Sequence, residues 1–317
     1  MLIMRVSAIQ MDMKFADPAY NFKHAEELIR EAAASKPDVI VLPETWNTGF
    51  FPKENLKELS DKDGAAVKDM CSALARELNV NIVAGSASNV KNDKVYNTAY
   101  VFDRQGACIA EYDKTHLFTP MGEHDYYEAG THVTTFELDG KKCGIIICYD
   151  VRFLELVRTL ALTGLDVLFV PAQWPALRKY HWDTLTAARS IENQMFVVAC
   201  NSCGKAGETV YGGSSGAIRS LPPAAARSFS PATLISPSLR ASALRSTFIA
   251  TAAPSFTTSD FRIAFHQKSA IAKNIKEDII LDSKITFTLH ADGKSTEKTI
   301  VYNQLLAIGY AGRHIAK

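Results

Sequence analysis

The 317-residue chain has no long hydrophobic run and no excess of charge of either sign. No apolar stretch approaches the roughly 20 residues of a transmembrane helix, and the first twelve residues are too short and too polar at their end for a signal peptide. With 35 basic and 34 acidic side chains, the formal net charge is only +1. These absences predict a cytoplasmic protein that has neither a membrane nor a nucleic acid as its partner.

A regular cysteine framework is also missing. The six cysteines are scattered, at Cys71, Cys108, Cys143, Cys148, Cys200 and Cys203. In a reducing compartment this spacing predicts free thiols. Cys200 and Cys203 have CxxC spacing, but a second pair of ligands is absent and residues 196–199 before them read as a strand. We therefore expect no metal site there.

Short strand patterns alternate with helical patterns in the first two thirds of the chain. Apolar runs and alternations predict strands at 4–10, 38–44, 80–85, 96–102, 107–112, 134–138, 142–147, 166–172 and 195–199. Helical spacing begins at Pro18 and recurs at 65–78, 153–161 and 182–192. Strands that alternate with helices, and include hairpins, indicate an α/β layered domain with at least one mixed sheet.

A thiol stands at the end of one buried strand. Residues 144–147 are Gly-Ile-Ile-Ile, Cys148 follows, and helical spacing resumes at Phe153. Cys148 would thus lie where a strand passes into a helix, near backbone N–H groups that can lower a thiol pKa and bind an oxyanion. The alternative is that Cys148 is simply a small hydrophobic core residue.

A carboxylate and an ammonium group also lie at the ends of predicted strands, as Cys148 does. Glu44 ends a buried strand after Pro43, and Lys114 begins a polar loop after another strand. A carboxylate can deprotonate a thiol, and a lysine beside them would lower the thiol pKa and stabilise a tetrahedral intermediate. Cys, Glu and Lys together suit acyl transfer through a thioester. Side chains of this kind at loop edges are, however, more often solvated than catalytic.

Three blocks of sequence resemble the signature blocks of the nitrilase, or carbon-nitrogen hydrolase, superfamily. They are residues 39–44, 112–118 and 144–153, and the similarity continues to about residue 218. The resemblance implies a four-layer α-β-β-α sandwich of the nitrilase type, usually paired as a homodimer, with no metal and no organic cofactor.

The resemblance also implies roles for four residues. It assigns Cys148 as the nucleophile, Glu44 as the general base and then acid, and Lys114 as the group that stabilises the oxyanion. Glu123 matches an additional family glutamate that helps to position the substrate and the lysine. Without the resemblance, Glu123 would be read as an acid in a surface loop.

Within the superfamily, residues 122–124, 148–150 and 172–175 are most similar to the omega-amidase branch. That branch hydrolyses monoamides of dicarboxylic acids, so a small-molecule amide is the implied substrate. The backbone N–H of Tyr149 would then face the oxyanion, and Phe118 and Trp174 would line the acyl pocket unless they are ordinary core aromatics.

A distal carboxylate on the substrate requires a cation. Arg178 and Lys179 are candidates because they follow Trp174 closely, although solvation at the surface is the more common role of such residues. The alternative functions are a nitrilase, an N-carbamoyl amidase, and a catalytically inactive relative.

The composition changes near residue 218, which suggests a hydrolase domain at 1–218 and an atypical tail at 219–317. Residues 219–259 are dominated by Ser, Ala, Pro, Thr and Arg, a composition that does not build a core.

Residues 245–256 can be encoded by codons that, read from the third base, give Phe-Asp-Ile-His-Arg-Asp-Arg-Arg-Pro-Glu-Leu, which ends on the family's closing motif. The hypothesis is a frame shift near codon 218 that leaves a poorly packed tail, removes part of the sandwich and weakens the dimer. Sequencing the DNA tests it, since codons that cannot yield this peptide would exclude the idea.

Overall fold

The computed structural model describes residues 4–50 and 52–218, together with the backbone of residues 233–235, 284–291 and 294–301. The chain divides into two compact units, residues 1–250 and 251–317, and each is described by itself. The predicted division at residue 218 stays a prediction, because most of the tail lies outside the described residues.

The first sheet is mixed. Within the described residues it has seven strands, in the order β14-β1-β2-β4-β5-β6 with β3 beside β4. Their bounds are β1 (Val6–Ile9), β2 (Val39–Val41), β3 (Asp61–Lys62), β4 (Asn81–Lys91), β5 (Lys94–Phe102), β6 (Cys108–Asp113) and β14 (Thr233–Ile235). The pairs β14-β1, β1-β2 and β2-β4 are parallel, whereas β4-β5 and β5-β6 are antiparallel hairpins.

The second sheet has five strands among the described residues, in the order β13-β10-β9-β8-β7. Their bounds are β7 (Thr134–Leu138), β8 (Lys141–Ile145), β9 (Val167–Ala172), β10 (Phe196–Asn201) and β13 (Gly216–Ile218). The three central strands are parallel, and the two edge strands are antiparallel to them. A separate hairpin is formed by β11 (Cys203–Ala206) and β12 (Thr209–Gly212).

Helices cover the sheets. The α-helices described are α1 (Pro18–Ala33), α2 (Leu56–Leu59), α3 (Ala65–Leu78), α4 (Leu154–Ala161) and α5 (Lys179–Asn193). Short 3₁₀ helices occupy Thr119–Met121, Glu123–Asp125, Cys148–Arg152 and Ala176–Arg178. Asp17 begins α1 by accepting a hydrogen bond from the Tyr20 N–H at 3.1 Å, and Pro18 follows as a favourable first residue.

Strand β2 shows how the layers are arranged. Val39 and Val41 belong to the core that contains the second sheet, whereas Ile40 and Leu42 belong to the core that contains α1 and α3. Successive side chains of a strand point to opposite faces, so β2 is buried between the second sheet and a helical layer. Val157 of α4 and Trp182 of α5 pack in the core of the second sheet. The order helix-sheet-sheet-helix confirms the predicted sandwich.

Several predicted bounds differ from the structure near the candidate site. Helix 65–78 and strand 134–138 are as predicted, but β2 ends at Val41, and Glu44 therefore lies in a loop beyond the strand. A 3₁₀ helix beginning at Cys148 precedes α4. A buried loop followed by a tight turn carries the same apolar pattern as a longer strand, and the bounds could not be read from periodicity.

The second unit contains an antiparallel hairpin of β15 (Lys284–Ala291) and β16 (Lys294–Val301), in which Lys284 pairs with Val301. This hairpin corresponds to the alternation predicted at 284–290 and to most of the run at 299–302. The predicted disorder of the remaining tail falls outside the described residues. In the described parts of both units, no helix combines the length and the apolar character needed to span a bilayer.

Candidate active site

Cys148 lies just beyond β8, at the first residue of a 3₁₀ helix, with a left-handed φ of +46°. A non-glycine residue in this region is uncommon and costs free energy, about 1–3 kcal/mol, which surrounding contacts must supply. The side chain is buried. The turn thus presents the thiol in one conformation at the end of a central strand.

Asp150 supplies part of that support. Its fully buried carboxylate accepts hydrogen bonds from the Ile147 N–H at 2.9 Å and the Tyr112 hydroxyl at 2.8 Å. It also accepts from the hydroxyl of Thr115 at 3.1 Å and from the backbone N–H of His116 at 2.8 Å. Because Thr115 and His116 directly follow Lys114, Asp150 holds the cysteine turn against the lysine loop.

The loop that carries Glu44 is held by a bulge in β4. Gly85 has a φ of +57°, and a Cβ there would lie 1.9 Å from the Pro43 carbonyl oxygen. Ser86 donates its backbone N–H to the same carbonyl at 3.1 Å, and its hydroxyl accepts the Thr45 N–H at 3.0 Å. The close backbone approach requires glycine and fixes the position of Glu44.

Lys114 brings the two predicted carboxylates together. Its Nζ lies 2.8 Å from Glu44 Oε1, and 2.9 Å and 2.8 Å from the two oxygens of Glu123. All three side chains are buried, with exposures of 2% or less. The expectation that such residues are solvated is therefore wrong for Glu44, Lys114 and Glu123, which share one interior site.

The surroundings raise the pKa of the Cys148 thiol well above its ordinary value. Burial is the main cause, the nearby Glu44 carboxylate adds to it, and the Lys114 charge opposes both without overcoming them. Lys114 lowers this pKa as the sequence predicts, but burial and Glu44 together raise it further than the lysine lowers it. In the resting site Cys148 is a protonated thiol beside a carboxylate.

Lys114 is held as a cation. Burial alone would lower its pKa, but the negative charges of Glu123 and Glu44 outweigh burial and hold that pKa well above its ordinary value. The site therefore contains an ammonium group next to a neutral thiol. This arrangement provides a proton donor, a proton acceptor and a fixed positive charge around one sulfur atom.

Aromatic rings lie beside the cysteine turn. Phe118 contacts Tyr149 edge to face, with ring centroids 4.9 Å apart, and the Trp174 indole N–H donates to the Arg178 carbonyl at 2.9 Å. The Arg152 guanidinium lies 5.7 Å from the Tyr149 ring centroid and 5.1 Å from that of Trp174. The two predicted pocket aromatics are thus linked to this turn, Phe118 through the Tyr149 ring and Trp174 through Arg152.

Lys179 and Arg178, the two candidate cations from the sequence, have different surroundings. Lys179 forms a salt bridge with Asp183 one turn along α5 and is exposed. The Arg178 guanidinium lies 5.0 Å from the Phe118 ring centroid. Arg152 was not singled out from the sequence, although its spacing of four residues from Cys148 was a usable signal. Among the described residues, no carboxylate pairs with Arg152.

Two further residues contact the site, although the sequence pattern did not assign them a role. The Asn97 amide donates to Glu44 Oε1 at 2.9 Å and reaches Glu123 Oε1 at 3.3 Å. The Gln173 backbone N–H donates to Glu44 Oε2 at 2.8 Å, and its side-chain Nε2 donates to the Glu44 carbonyl at 2.8 Å. Both are polar residues on or next to buried strands. This position suggests a functional role, but it does not show which groups they contact.

The two thiols of the CxxC pair are hydrogen-bonded to the backbone. Cys200 and Cys203 are free and buried, and each thiol donates to a backbone carbonyl, Cys200 to Ile9 at 3.3 Å and Cys203 to Gln10 at 2.9 Å. Across residues 4–50 and 52–218, no three His, Cys, Asp or Glu side chains are grouped so as to bind a metal ion.

Comparison with known families matches residues 5–221 to the family described as Carbon-nitrogen hydrolase. The chain belongs to the carbon-nitrogen hydrolase family. It is accordingly an enzyme, an amidase-like hydrolase of carbon–nitrogen bonds, and the resemblance noted in the sequence is confirmed.

Curated relatives share most of their length with the matched region. A 2-oxoglutaramate amidase of Bacillus subtilis is 45% identical over 210 residues, which cover 66% of this chain and 80% of that protein. An omega-amidase of Escherichia coli K12 is 31% identical over 204 residues, covering 64% and 76% respectively. The similarity is thus to amidases over the hydrolase region.

Solved structures share the fold. A carbon-nitrogen hydrolase superfamily protein of Xanthomonas campestris, whose structure has an arsenic adduct in the active site, superposes with a TM-score of 0.65 and 32% identity. The match covers 70% of this chain and 84% of that one. A nitrilase superfamily member from Saccharomyces cerevisiae gives a TM-score of 0.63 at 25% identity, covering 68% and 82%.

Proposed function

We propose that the chain is a cysteine-dependent omega-amidase that releases ammonia from monoamides of dicarboxylic acids through a thioester intermediate. The observation that carries the proposal is that Lys114 bonds both Glu44 and Glu123 in a buried site beside the Cys148 thiol. The names of the relatives, 2-oxoglutaramate amidase and omega-amidase, support this substrate class.

Acylation begins with the proton of the thiol. Glu44 accepts it as the thiolate attacks the amide carbonyl carbon, and the oxyanion that forms is stabilised by the Lys114 charge and the Tyr149 backbone N–H. Glu44 then gives the proton to the amide nitrogen as the carbon–nitrogen bond breaks. Ammonia leaves, and the acyl group remains on sulfur.

Deacylation uses the same groups in reverse order. Glu44 accepts a proton from water, the hydroxide attacks the thioester, and the carbon–sulfur bond breaks to release the carboxylic acid and regenerate the thiol. Glu123 bonds Lys114 through both of its oxygens and so keeps the ammonium group directed at the site. The reaction consumes one amide and one water.

Arg152 is the cation best placed for the distal carboxylate of the substrate. Its guanidinium is held over the rings of Tyr149 and Trp174, four residues from the nucleophile. A guanidinium can bond a carboxylate through two parallel hydrogen bonds. Phe118 and Arg178 extend the same wall and would contact the chain of the substrate.

The test is ammonia release from a panel containing 2-oxoglutaramate, butyramide, a nitrile and an N-carbamoyl amino acid. We expect turnover of the dicarboxylate monoamide, an acyl adduct on Cys148 by intact-mass spectrometry, and loss of at least about 10⁴-fold in kcat for Cys148→Ala. Preference for the nitrile or the carbamoyl compound would favour those alternatives. Unreactive substrates together with an unlabelled Cys148 would indicate an inactive relative, and full turnover by Cys148→Ala would refute the mechanism.

The cytoplasmic location and the absence of a nucleic-acid partner stay predictions.

We also infer a homodimer that is formed through the outer helices. Large apolar side chains are exposed on α4, α5 and the turn before α5, namely Leu154, Leu177, Tyr180 and Ile191. Exposed apolar residues grouped on packed helices are typical of subunit interfaces. Light scattering on the full chain that gives only a monomer mass at micromolar concentration would exclude the dimer.

A further inference from the structure

Asn97 contacts three of the four predicted catalytic groups. It lies on β5, where its side-chain Nδ2 donates to Glu44 Oε1 at 2.9 Å and to Glu123 Oε1 at 3.3 Å. Its backbone carbonyl accepts the Lys114 N–H at 2.9 Å. Asn97 is 1% exposed. One residue therefore positions the lysine through its main chain and the two carboxylates through its side chain.

The orientation of the Asn97 amide is fixed by its partners. Turning the amide over would place Oδ1 against two carboxylate oxygens, whereas the observed orientation places only N–H donors there. The cost is visible, because Oδ1 is buried and accepts no hydrogen bond from the described residues. Leaving a buried carbonyl unpaired is unfavourable, so the donation to Glu44 and Glu123 outweighs satisfying this oxygen.

Hydrogen-bond donors surround both carboxylates. Every side-chain oxygen of Glu44 and Glu123 accepts a hydrogen bond from a group that can only donate: the Lys114 ammonium, the Asn97 amide, or a backbone N–H of Gln173 or Phe118. Two adjacent carboxylates and one ammonium group leave one unbalanced negative charge, so the carboxylates repel each other and these donors must hold them in place.

We propose that Asn97 is a positioning residue that holds the Glu44 and Glu123 carboxylates side by side, so that Glu44 stays oriented to accept the Cys148 proton. This inference rests on the proposed function. Without the Asn97 donor, repulsion between the two like-charged carboxylates would move Glu44 out of this position.

Other titratable groups face the same site and are part of its charge balance. They are the Lys114 ammonium, the Cys148 thiol, and the phenols of Tyr127 and Tyr211, which interact with Glu44. The pKa of each phenol is raised, mainly by burial and further by that carboxylate. Both phenols are therefore neutral near pH 7 and do not replace the charge-directed donation from Asn97.

The test compares two variants with opposite expected pH effects. Asn97→Leu keeps the side-chain size and the main-chain bond to Lys114 but removes the donor, so kcat should fall about 10- to 100-fold at pH 7, and the acidic limb of the kcat/KM profile should move to higher pH. In Asn97→Asp the new group donates only while it is protonated. Activity should then be best at low pH, and the basic limb should move to lower pH.

The matched control is Asn193→Leu at the end of α5. Asn193 also has a buried Oδ1 without a partner among the described residues, but its amide donates to the Arg189 carbonyl and to Glu192, away from the site. This control should keep the wild-type pH profile. Urea unfolding of all variants checks that the fold is retained.

Alkylation of Cys148 by iodoacetamide, read peptide by peptide in a mass spectrometer, gives a second readout that needs no turnover. Its dependence on pH should shift in Asn97→Leu in the same direction as the acidic limb. Unshifted limbs and an unshifted alkylation profile in both variants would overturn the role of Asn97. If the wild type hydrolyses no amide while the alkylation profiles still shift, the proposed function fails and the role of Asn97 stands.

Discussion

At the scale of single residues, the site depends on burial more than on any one contact. Burial raises the pKa of Cys148, and the nearby carboxylates overcome the effect of burial on Lys114. The same residues on a surface loop would be a solvated thiol and a solvated amine of ordinary pKa. The chemistry of the site thus arises from placing three charged groups in one dry volume.

Arg152 gives a prediction about specificity. Replacing it in Arg152→Met removes the guanidinium over the Tyr149 and Trp174 rings but keeps an unbranched side chain. We expect kcat/KM for 2-oxoglutaramate to fall about 10- to 100-fold, with little change for butyramide, which has no distal carboxylate. Arg158→Met on α4 is the matched control. Equal losses with both amides would show that Arg152 has a structural role only.

At the scale of elements, the proposed nucleophile and general base each lie in a turn that follows a strand. The bulge of β4 holds the Glu44 loop, and Asp150 joins the cysteine turn to the lysine loop. Loops positioned by a rigid scaffold commonly carry function, and here the scaffold is the pair of packed sheets. Substitutions in these turns should therefore alter catalysis without touching a catalytic residue.

Gly85 provides that test. In Gly85→Ala the new Cβ would meet the backbone oxygens of Pro43 and Leu42, and the loop carrying Glu44 must shift. Gly140→Ala is the control, since Gly140 has a similar φ of +72° but open space around it. The control should lose about 1 kcal/mol of unfolding free energy, and Gly85→Ala at least about 2 kcal/mol more together with most of kcat.

Urea unfolding and ammonia release measure the two effects. Similar losses in both alanine variants would mean that the left-handed φ alone matters, and that the close approach to Pro43 does not position Glu44. A raised KM with an unchanged kcat would place the defect in substrate binding instead of in the base.

At the scale of the whole molecule, buried thiols predict a loss of stability in alkali. Burial raises the pKa of Cys71 and Cys200, and it raises that of Cys143 to about 12, against an ordinary value of 9.0. Their contribution is complete below pH 9. Above it the unfolded chain loses thiol protons that the folded chain retains, so the free energy of unfolding falls as pH rises, by about 1.4 kcal/mol per pH unit for each such thiol.

Urea unfolding between pH 8 and 11 checks this slope. Above pH 9, Cys71→Ala should make the unfolding free energy fall less steeply with pH, by the contribution of about one proton. Cys108→Ala should have a smaller effect, because Cys108 is exposed and burial raises its pKa less. Identical slopes for the wild type and Cys71→Ala would show that this thiol is not held neutral by the fold.

The amino-acid sequence was sufficient to predict the layered architecture and to name four candidate catalytic residues, with Glu123 named through the family resemblance. Short continuous apolar runs indicate strands buried on both faces, and β2 has this pattern because it lies between the second sheet and the helices. The candidate catalytic residues Cys148, Glu44 and Lys114 could be named because each follows a predicted strand and lies in a block of sequence that resembles a family signature.

The interactions among these groups could be read only from the three-dimensional arrangement of the chain. Asn97 is 53 residues from Glu44 and 26 from Glu123, and no local pattern shows that its amide lies between them. The direction of the Cys148 pKa shift also required coordinates, since burial and two carboxylates raise this pKa while one ammonium group lowers it. A sequence specifies which groups a chain carries, but the sign of an electrostatic effect depends on distances and on exclusion of water, and folding alone sets both.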